Sequence, residues 1–440
     1  MKTRLSIVLG FLGAILAGAF FLMLPVSSPS HTWMKPLDAL FTACSAVCIT
    51  GLTVIDVGTQ LSRFGHWVLL ALVQIGCVGI MTLGTFILAV IGRRLSLEGE
   101  CSIMSTYGFK GVNGWRWLVV WVVLSMALVE GAATYVYHSL VPDMTWFRAY
   151  FYAVMSFCNA GFSLDPGSIA VFQGRPVVLL TMGVFVILGG VGFPVIYNLC
   201  TVQFWRRNLV KRGRLSLHTR VVLLASAIFL AGMFVFFLVL EWDRALEPYS
   251  LAEKGAIAFF QAVTPRTCGF TVIPVHQMHD ATRFVSEVLM FIGAAPGGAG
   301  GGIKVTTFVV FLVTMLAICR GRRDTVLFRR SLPETVVREA IVIVMVFAAV
   351  ISLAMTVLLV SEGGNEKLTF EYLLFETVSA VTTTGLSCGS TTESLSTVGR
   401  FVIMLCMLTG RLGAIGVVML IGGQEERTSI RYPREDLVVG

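Results

Sequence analysis

Residues 375–387 read Phe375-Glu-Thr-Val-Ser-Ala-Val-Thr-Thr-Thr-Gly385-Leu-Ser, and the same outline occurs three times upstream. It occurs as Phe41-Thr-Ala-Cys-Ser-Ala-Val-Cys-Ile-Thr-Gly51-Leu-Thr and as Phe151-Tyr-Ala-Val-Met-Ser-Phe-Cys-Asn-Ala-Gly161-Phe-Ser. The remaining copy is Phe259-Phe-Gln-Ala-Val-Thr-Pro-Arg-Thr-Cys-Gly269-Phe-Thr. Each has Phe ten residues before the glycine, Leu or Phe directly after it, and then Thr or Ser. The glycines stand 110, 108 and 116 residues apart, a near-constant period that marks an internal repeat.

An apolar stretch precedes every copy (5–25, 117–140, 221–240, 340–360) and another follows it (67–91, 177–199, 285–318, 401–422). About 20 apolar residues cross the hydrocarbon, whereas the dozen before each glycine suffice only for a re-entrant half-helix. Composition agrees: 56% of residues are apolar and 13% charged, where a soluble domain carries about 25% charged residues. Mean hydropathy is +0.84. Windows 5–34, 64–92, 176–205, 221–240 and 340–361 contain no Asp, Glu, Lys or Arg. The ~10-residue alternating segments of a membrane β-barrel are missing from the pattern, so the spans are read as helices. The fold class expected is all-α integral membrane, with four parallel span–pore-helix–loop–span repeats around one central pore. The repeats are bounded as 1–96, 97–210, 211–325 and 326–440, the last including a cytoplasmic C-terminal tail.

The net charge of +8 does not indicate nucleic acid, because the basic residues sit in short linkers between spans. They cluster at Lys2 and Arg4, at Arg93, Arg94, Lys110 and Arg116, at 206–220, at 320–338, and in the tail at Arg427, Arg431 and Arg434. This is the positive-inside arrangement. Two crossings per repeat return the chain to its starting side, so both termini and every basic linker are expected in the cytoplasm of a multi-pass plasma (inner) membrane protein. Inverted-repeat carriers often place successive linkers on opposite faces; here the units are parallel. The first apolar stretch lacks a small-x-small cleavage site and is read as a retained span, since its removal would break the repeat. The ten cysteines form no CxxC pair, and most lie in apolar context, where they are read as buried, inert thiols.

Irregular backbone at membrane depth is tolerated only where it is buried in protein or lines a water-filled path. Four such loops make a ring of carbonyls able to replace an ion's hydration shell. The expected lining is Cys48, Ile49, Thr50 and Gly51; Cys158, Asn159, Ala160 and Gly161; Arg266, Thr267, Cys268 and Gly269; and Thr382, Thr383, Thr384 and Gly385. Glycine turns a carbonyl inward without a Cβ penalty, and the preceding half-helix directs its negative dipole end at a cation. No Asp or Glu ring lines the path, which favours a monovalent cation over a divalent one.

On these motifs the sequence resembles, over essentially its whole length, the Trk/Ktr/HKT superfamily of potassium transporters, whose membrane subunit is similar to four K⁺-channel subunits fused in one chain. The first span begins at Leu5, without the two extra N-terminal helices of Trk-type members, so the resemblance is to the Ktr-type membrane subunit. It implies K⁺ as the transported ion, with glycine rather than serine at Gly51 pointing to K⁺ over Na⁺. Pro265 and Cys268 depart from the family pattern, which usually has a hydroxyl residue and often alanine there. The resemblance further implies a homodimer surrounded by membrane lipid and a separate cytosolic ring of KtrA-like Rossmann (RCK) regulatory subunits. The nucleotide belongs to that ring, with none bound by this chain, and Na⁺ is an activator or a coupled ion.

Gly293-Ala-Ala-Pro-Gly-Gly-Ala-Gly-Gly-Gly-Ile-Lys304 interrupts the second span of the third repeat, a feature read as unique to that repeat. Each Gly costs about 1 kcal/mol and an interior Pro about 3 in a helix, so two half-helices joined by a mid-membrane loop are expected. The resemblance makes this loop (Gly297, Gly298, Gly300, Gly301, Gly302) a gate, with Lys304 at its end and Arg411 of the last span as its hydrogen-bonding partner. The run is no phosphate loop, because Ile303 rather than Lys follows Gly302 and no strand precedes it. His276-x-x-His279 lacks a third ligand and reads as a solvated pair rather than zinc. Arg266 is expected to turn behind its loop toward a carboxylate or carbonyl. Asp38, Glu130, Glu371 and Glu376 are read as supports for loops and helix ends. No His/Cys/Asp constellation recurs at one depth, so an enzyme is not supported. The rival class is a Na⁺- or H⁺-coupled secondary transporter.

Overall fold

The computed structural model describes residues 2–79, 115–201, 215–322, 324–389 and 391–421. The basic residues 93, 94, 110, 206, 207, 211, 212, 214 and 323, the far end of the span expected at 67–91, and the tail from 424 lie outside the described residues.

Four helices come first in successive units: α1 (Lys2–Met23), α4 (Trp115–Leu140), α8 (Leu217–Glu241) and α12 (Glu334–Ser361). Each leads to a half-length helix: α2 (Pro36–Cys48), α5 (Trp146–Cys158), α9 (Leu251–Val263) and α13 (Phe370–Val381). These start where sequence dictates. Pro36 occupies the first turn, Thr145 and Thr369 cap backbone N–H groups, and Ser250 forms a capping box with Glu253. Their later turns are buried on all sides, as suits helices enclosed by others. α1 packs on α2, α4 on α5, α8 on α9 and α12 on α13.

The returning helices are α3 (Arg63–Val78), α6 (Pro176–Val191) with α7 (Phe193–Thr201), α10 (Asp280–Phe291) with α11 (Val305–Cys319), and α14 (Thr397–Ile421). Here the structure corrects the sequence reading, because the interruption is not confined to the third repeat. Helix α3 stops at Gly79 (φ 79°), α6 and α7 meet at Gly192 (φ 90°) with a 96° bend, and α14 breaks at Gly413 (φ 75°). A positive φ is easy for glycine and incompatible with continued helix. Three residues before each break is another glycine whose neighbour is a half-helix carbonyl. A Cβ at Gly76, Gly189 or Gly410 would lie 2.3, 1.9 or 2.0 Å from the carbonyl oxygen of Val47, Phe157 or Val381. Gly-x-x-Gly thus seats α3, α6 and α14 against the ends of their half-helices and then ends or bends the helix.

Among the described residues three helices are long and apolar enough to cross a membrane, or four if the bent α6–α7 pair counts as one. Partly buried ion pairs join helix starts, and two buried carboxylates are satisfied inside the bundle. Asp38 of α2 meets Arg400 of α14 at 2.7 Å, and Glu371 meets Arg283 at 2.9 Å. Glu130 accepts from Gln74 at 2.8 Å, and Glu376 accepts from the hydroxyls of Ser387 and Thr392.

Candidate functional site

The half-helices α2, α5 and α13 end alike. Ile49, Asn159 and Thr383 take left-handed φ values of 56°, 55° and 51°. The next N–H groups, of Thr50, Ala160 and Thr384, reach back to the carbonyls of Ser45, Met155 and Ser379 at 2.8, 2.9 and 2.8 Å. This is a Schellman-type closure, in which C′ is usually glycine. Ile49 and Thr383 are β-branched there, a backbone strain of the kind that concentrates at functional sites. In the third loop Pro265 intervenes, and Cys268 N–H instead bonds Thr264 O at 3.1 Å. Thr267 still adopts φ 67°, so all four loops carry a left-handed residue two places before the glycine.

The glycines themselves are left-handed at 90°, 69°, 80° and 87° for Gly51, Gly161, Gly269 and Gly385. Their neighbours run in one cyclic order. A Cβ on Gly51 would meet the carbonyl oxygen of Ala160 at 2.5 Å, and one on Gly161 that of Cys268 at 3.0 Å. Gly269 faces Thr384 O at 2.7 Å and Gly385 faces Thr50 O at 1.9 Å. The four loops therefore close into a ring, each glycine against the carbonyl that precedes the next. Ser45 and Ser379 hydroxyls brace it from behind by accepting the N–H of Gly51 and Gly385 at 3.0 and 3.1 Å.

On one side the four glycines floor a vestibule of about 480 Å³, whose walls include Asp56, Asp165 and Glu393. On the other side lies the chain from Gly293 to Lys304. It borrows the carbonyls left over where α6 ends: Ala295 and Ala299 N–H donate to Gly190 and Gly189 O at 3.0 and 3.1 Å. Arg411 does the corresponding job with its side chain. Its guanidinium donates to Ala299 O in the loop at 2.5 Å and to Gly76 O in the last turn of α3. A cation at a helix C-terminus is also favoured by the dipole. Gly301 N–H donates to Thr383 Oγ1 at 3.1 Å. Gly298 lies against Gly190 O, Gly302 against Thr382 O, and Pro296 O against Gly192, while Gly297 O accepts from Phe193 N–H. Lys304 Nζ turns back to Gly300 O at 2.6 Å rather than extending toward the membrane surface.

Arg266 lies behind its loop, buried in a small cavity with Val186, Ile187, Gly190, Leu230, Val263 and Ala294. Arg266 thus turns behind its loop as expected, but of the carboxylate or carbonyl expected there no carboxylate lines the cavity, and among the described residues its Nε has no hydrogen-bond partner. His279 caps α10, and among the described residues no group of three or more His, Cys, Asp or Glu is placed to hold a metal. Sequence reasoning missed the Gly-x-x-Gly breaks, and with them the carbonyls of Gly76, Gly189 and Gly190 to which the loop assembly attaches.

A ring of backbone carbonyls, with a vestibule on one side and a glycine-rich loop on the other, enclosed by apolar helices, marks a membrane protein. The TrkH family model, described as cation transport protein, matches residues 13–426, and the chain belongs to that family. It is 34% identical to Ktr system potassium uptake protein B of Bacillus subtilis, covering 98% of this chain and 95% of that one. To the protein of the same name from Vibrio alginolyticus it is 35% identical, over 99% and 94%. The structure is similar to the potassium transporter TrkH from Vibrio parahaemolyticus with a TM-score of 0.74 at 19% identity, covering 97% of this chain and 86% of that one.

Proposed function

We propose that this chain is the K⁺-translocating membrane subunit of a potassium uptake system, a four-repeat pore conducting passively through the ring and closed by the loop 293–304. The observation that carries the reading is the cyclic order of glycine-to-carbonyl neighbours. A continuous ring of carbonyls offers a monovalent cation a substitute for its water. Asp56 and Glu393 in the vestibule wall raise the local cation concentration without supplying a carboxylate ring, while the charge of Asp165 is offset by Arg148. The relatives named potassium uptake protein B cover the full ring, and all four glycines are present here.

In this reading the vestibule faces outward and the loop and both termini face the cytoplasm. The basic linkers meet a KtrA-like nucleotide-binding ring beneath a homodimer of this chain, with Na⁺ as an activator. Another relative, the Enterococcus hirae protein NtpJ at 32% identity, carries the description potassium/sodium uptake, so selectivity is the property to test. Purified subunit in K⁺-loaded liposomes is expected to take up rubidium tracer, with external K⁺ competing and an equal concentration of Na⁺ not competing. Equal competition by Na⁺ would overturn the assignment of K⁺ selectivity.

A further inference from the structure

The linker between α11 and α12 is basic, and it doubles back. Residues 320–333 hold five arginines and a single acid, Asp324. Gly321 (φ 64°) closes α11, and Arg322 N–H returns to Ala317 O at 2.9 Å. The chain then comes back alongside the helix. Thr325 meets Thr314, hydroxyl to hydroxyl at 3.2 Å and both buried, five residues before α11 ends at Cys319. A two-stranded hairpin follows, Val326–Leu327 paired with Arg330–Ser331. Its turn is Phe328-Arg329, with φ of 49° and 61°. Two-residue turns of this hand favour Asn-Gly; here the tip carries a phenyl ring and a guanidinium instead. Phe328 and Val326 are each 44% exposed. Arg320, Arg322, Arg329 and Arg330 are exposed as well, and none of the four forms an ion pair among the described residues.

Depth decides what such a hairpin meets. Nine residues of helix take the chain from Val305 to Thr314, about 14 Å at 1.5 Å per residue. Half the hydrocarbon thickness is about 15 Å. With the loop 293–304 at mid-membrane, Thr314 and the hairpin base held on it stand where acyl chains give way to headgroups. Around that level α11 exposes Leu312, Met315 and Leu316. A hairpin hung from the end of α11 would begin about 8 Å farther out; the return brings it in.

We propose that this hairpin binds an anionic phospholipid of the cytoplasmic leaflet, with its phosphate on Arg329 and Arg330 and its acyl chains against Phe328 and Val326. The depth rests on the mid-membrane placement of 293–304 in the proposed function. Guanidinium forks match phosphate oxygens, and apolar side chains beside basic ones are the composition of an interfacial anchor. Free phosphate satisfies only the arginines. An acidic protein surface leaves Phe328 and Val326 idle at acyl depth. The linker 320–333 therefore differs from the basic linkers assigned to the cytosolic ring: it is held at the bilayer.

The test is native mass spectrometry of the full-length protein, counting phospholipids retained from mixed micelles of phosphatidylglycerol and phosphatidylcholine. Wild type should retain phosphatidylglycerol in preference, and added inorganic phosphate should not displace it. Arg329→Gln combined with Arg330→Gln should weaken retention about thirtyfold, the effect of two arginines at an anionic surface. Phe328→Ser keeps both guanidiniums and should weaken it about tenfold. Arg338→Gln, at an exposed arginine paired with Glu334 at 2.7 Å, should leave it unchanged. Equal retention by wild type and the double variant overturns the site. Displacement by phosphate, or wild-type binding by Phe328→Ser, overturns the lipid as ligand. Arg338→Gln as damaging as the double variant reduces the effect to surface charge and overturns the hairpin. Rubidium flux of wild type in phosphatidylcholine liposomes is measured in parallel. Failure of K⁺ to compete there refutes the proposed function, whereas a hairpin failure leaves that competition intact.

Discussion

The four ring glycines should not be equally sensitive to alanine, and the structure ranks them. All four have φ between 69° and 90°, so the backbone cost of a side chain, roughly 1–3 kcal/mol, is shared. What differs is the neighbour. At Gly385 a Cβ falls 1.9 Å from Thr50 O, which is 1.5 Å inside the 3.4 Å at which ordinary contact begins. The shortfall is 0.9 Å at Gly51, 0.7 Å at Gly269 and 0.4 Å at Gly161. The struck atoms are the carbonyl oxygens proposed to hold the ion, so the neighbouring loop must retreat by about the same distance. Gly385→Ala should therefore cut K⁺-competable rubidium flux more than ~10-fold, the effect of ~1.4 kcal/mol on a barrier. Gly51→Ala and Gly269→Ala should be intermediate and Gly161→Ala mildest. Flux per correctly folded protein, measured in liposomes after gel filtration, gives the order. Equal losses at all four, or Gly161→Ala the worst, would refute the cyclic contact argument.

Gly51→Ser carries the same Cβ as Gly51→Ala and adds a hydroxyl against Ala160 O, so its rubidium flux should fall as in Gly51→Ala while Na⁺ is admitted, seen as a lowered rubidium-to-sodium tracer ratio that Gly51→Ala does not show. Arg411→Ala removes donors to Ala299 O and to Gly76 O, bonds of about 1.5–3 kcal/mol when charged. It should raise basal flux roughly tenfold while leaving the cation ratio near wild type, and a changed ratio would move Arg411 into the selectivity apparatus. Gly189→Ala should lower the melting temperature in detergent and cost about 1–3 kcal/mol, because its methyl group overlaps Phe157 O. Gly232→Ala, in α8 with nothing within 4 Å, should be neutral or stabilising by up to about 1 kcal/mol. Equal melting of these two variants would count against the Gly-x-x-Gly seating.

The half-helices were legible because two independent signals coincided: a glycine at fixed period and an apolar stretch too short to span. The breaks in the returning helices were not. Hydropathy counts Gly76, Gly79, Gly189, Gly192, Gly410 and Gly413 as unremarkable residues of apolar spans, and it carries no information on φ. The paired spacing is present in the sequence, but only the third repeat's denser glycine run stands out against the apolar background. Which carbonyls receive Arg411 was beyond sequence reasoning, since Gly76 O depends on where α3 stops. The same holds for Arg266, whose cavity is built from α6, α8, the end of α9 and the loop. Pro265 marked the third loop as different, and the difference is local: one closing bond changes partner while the left-handed residue and the glycine keep their places.

Passive K⁺ conduction through the ring is tested most directly by the zero-current potential of the purified chain in a lipid bilayer under imposed K⁺, Na⁺ and H⁺ gradients. The account predicts that it follows the K⁺ gradient alone, shifting by about 59 mV per tenfold change in K⁺ for one charge. Reversing the Na⁺ or H⁺ gradient should leave it in place. A potential that moves with either of those gradients at constant K⁺ would contradict passive, K⁺-selective conduction.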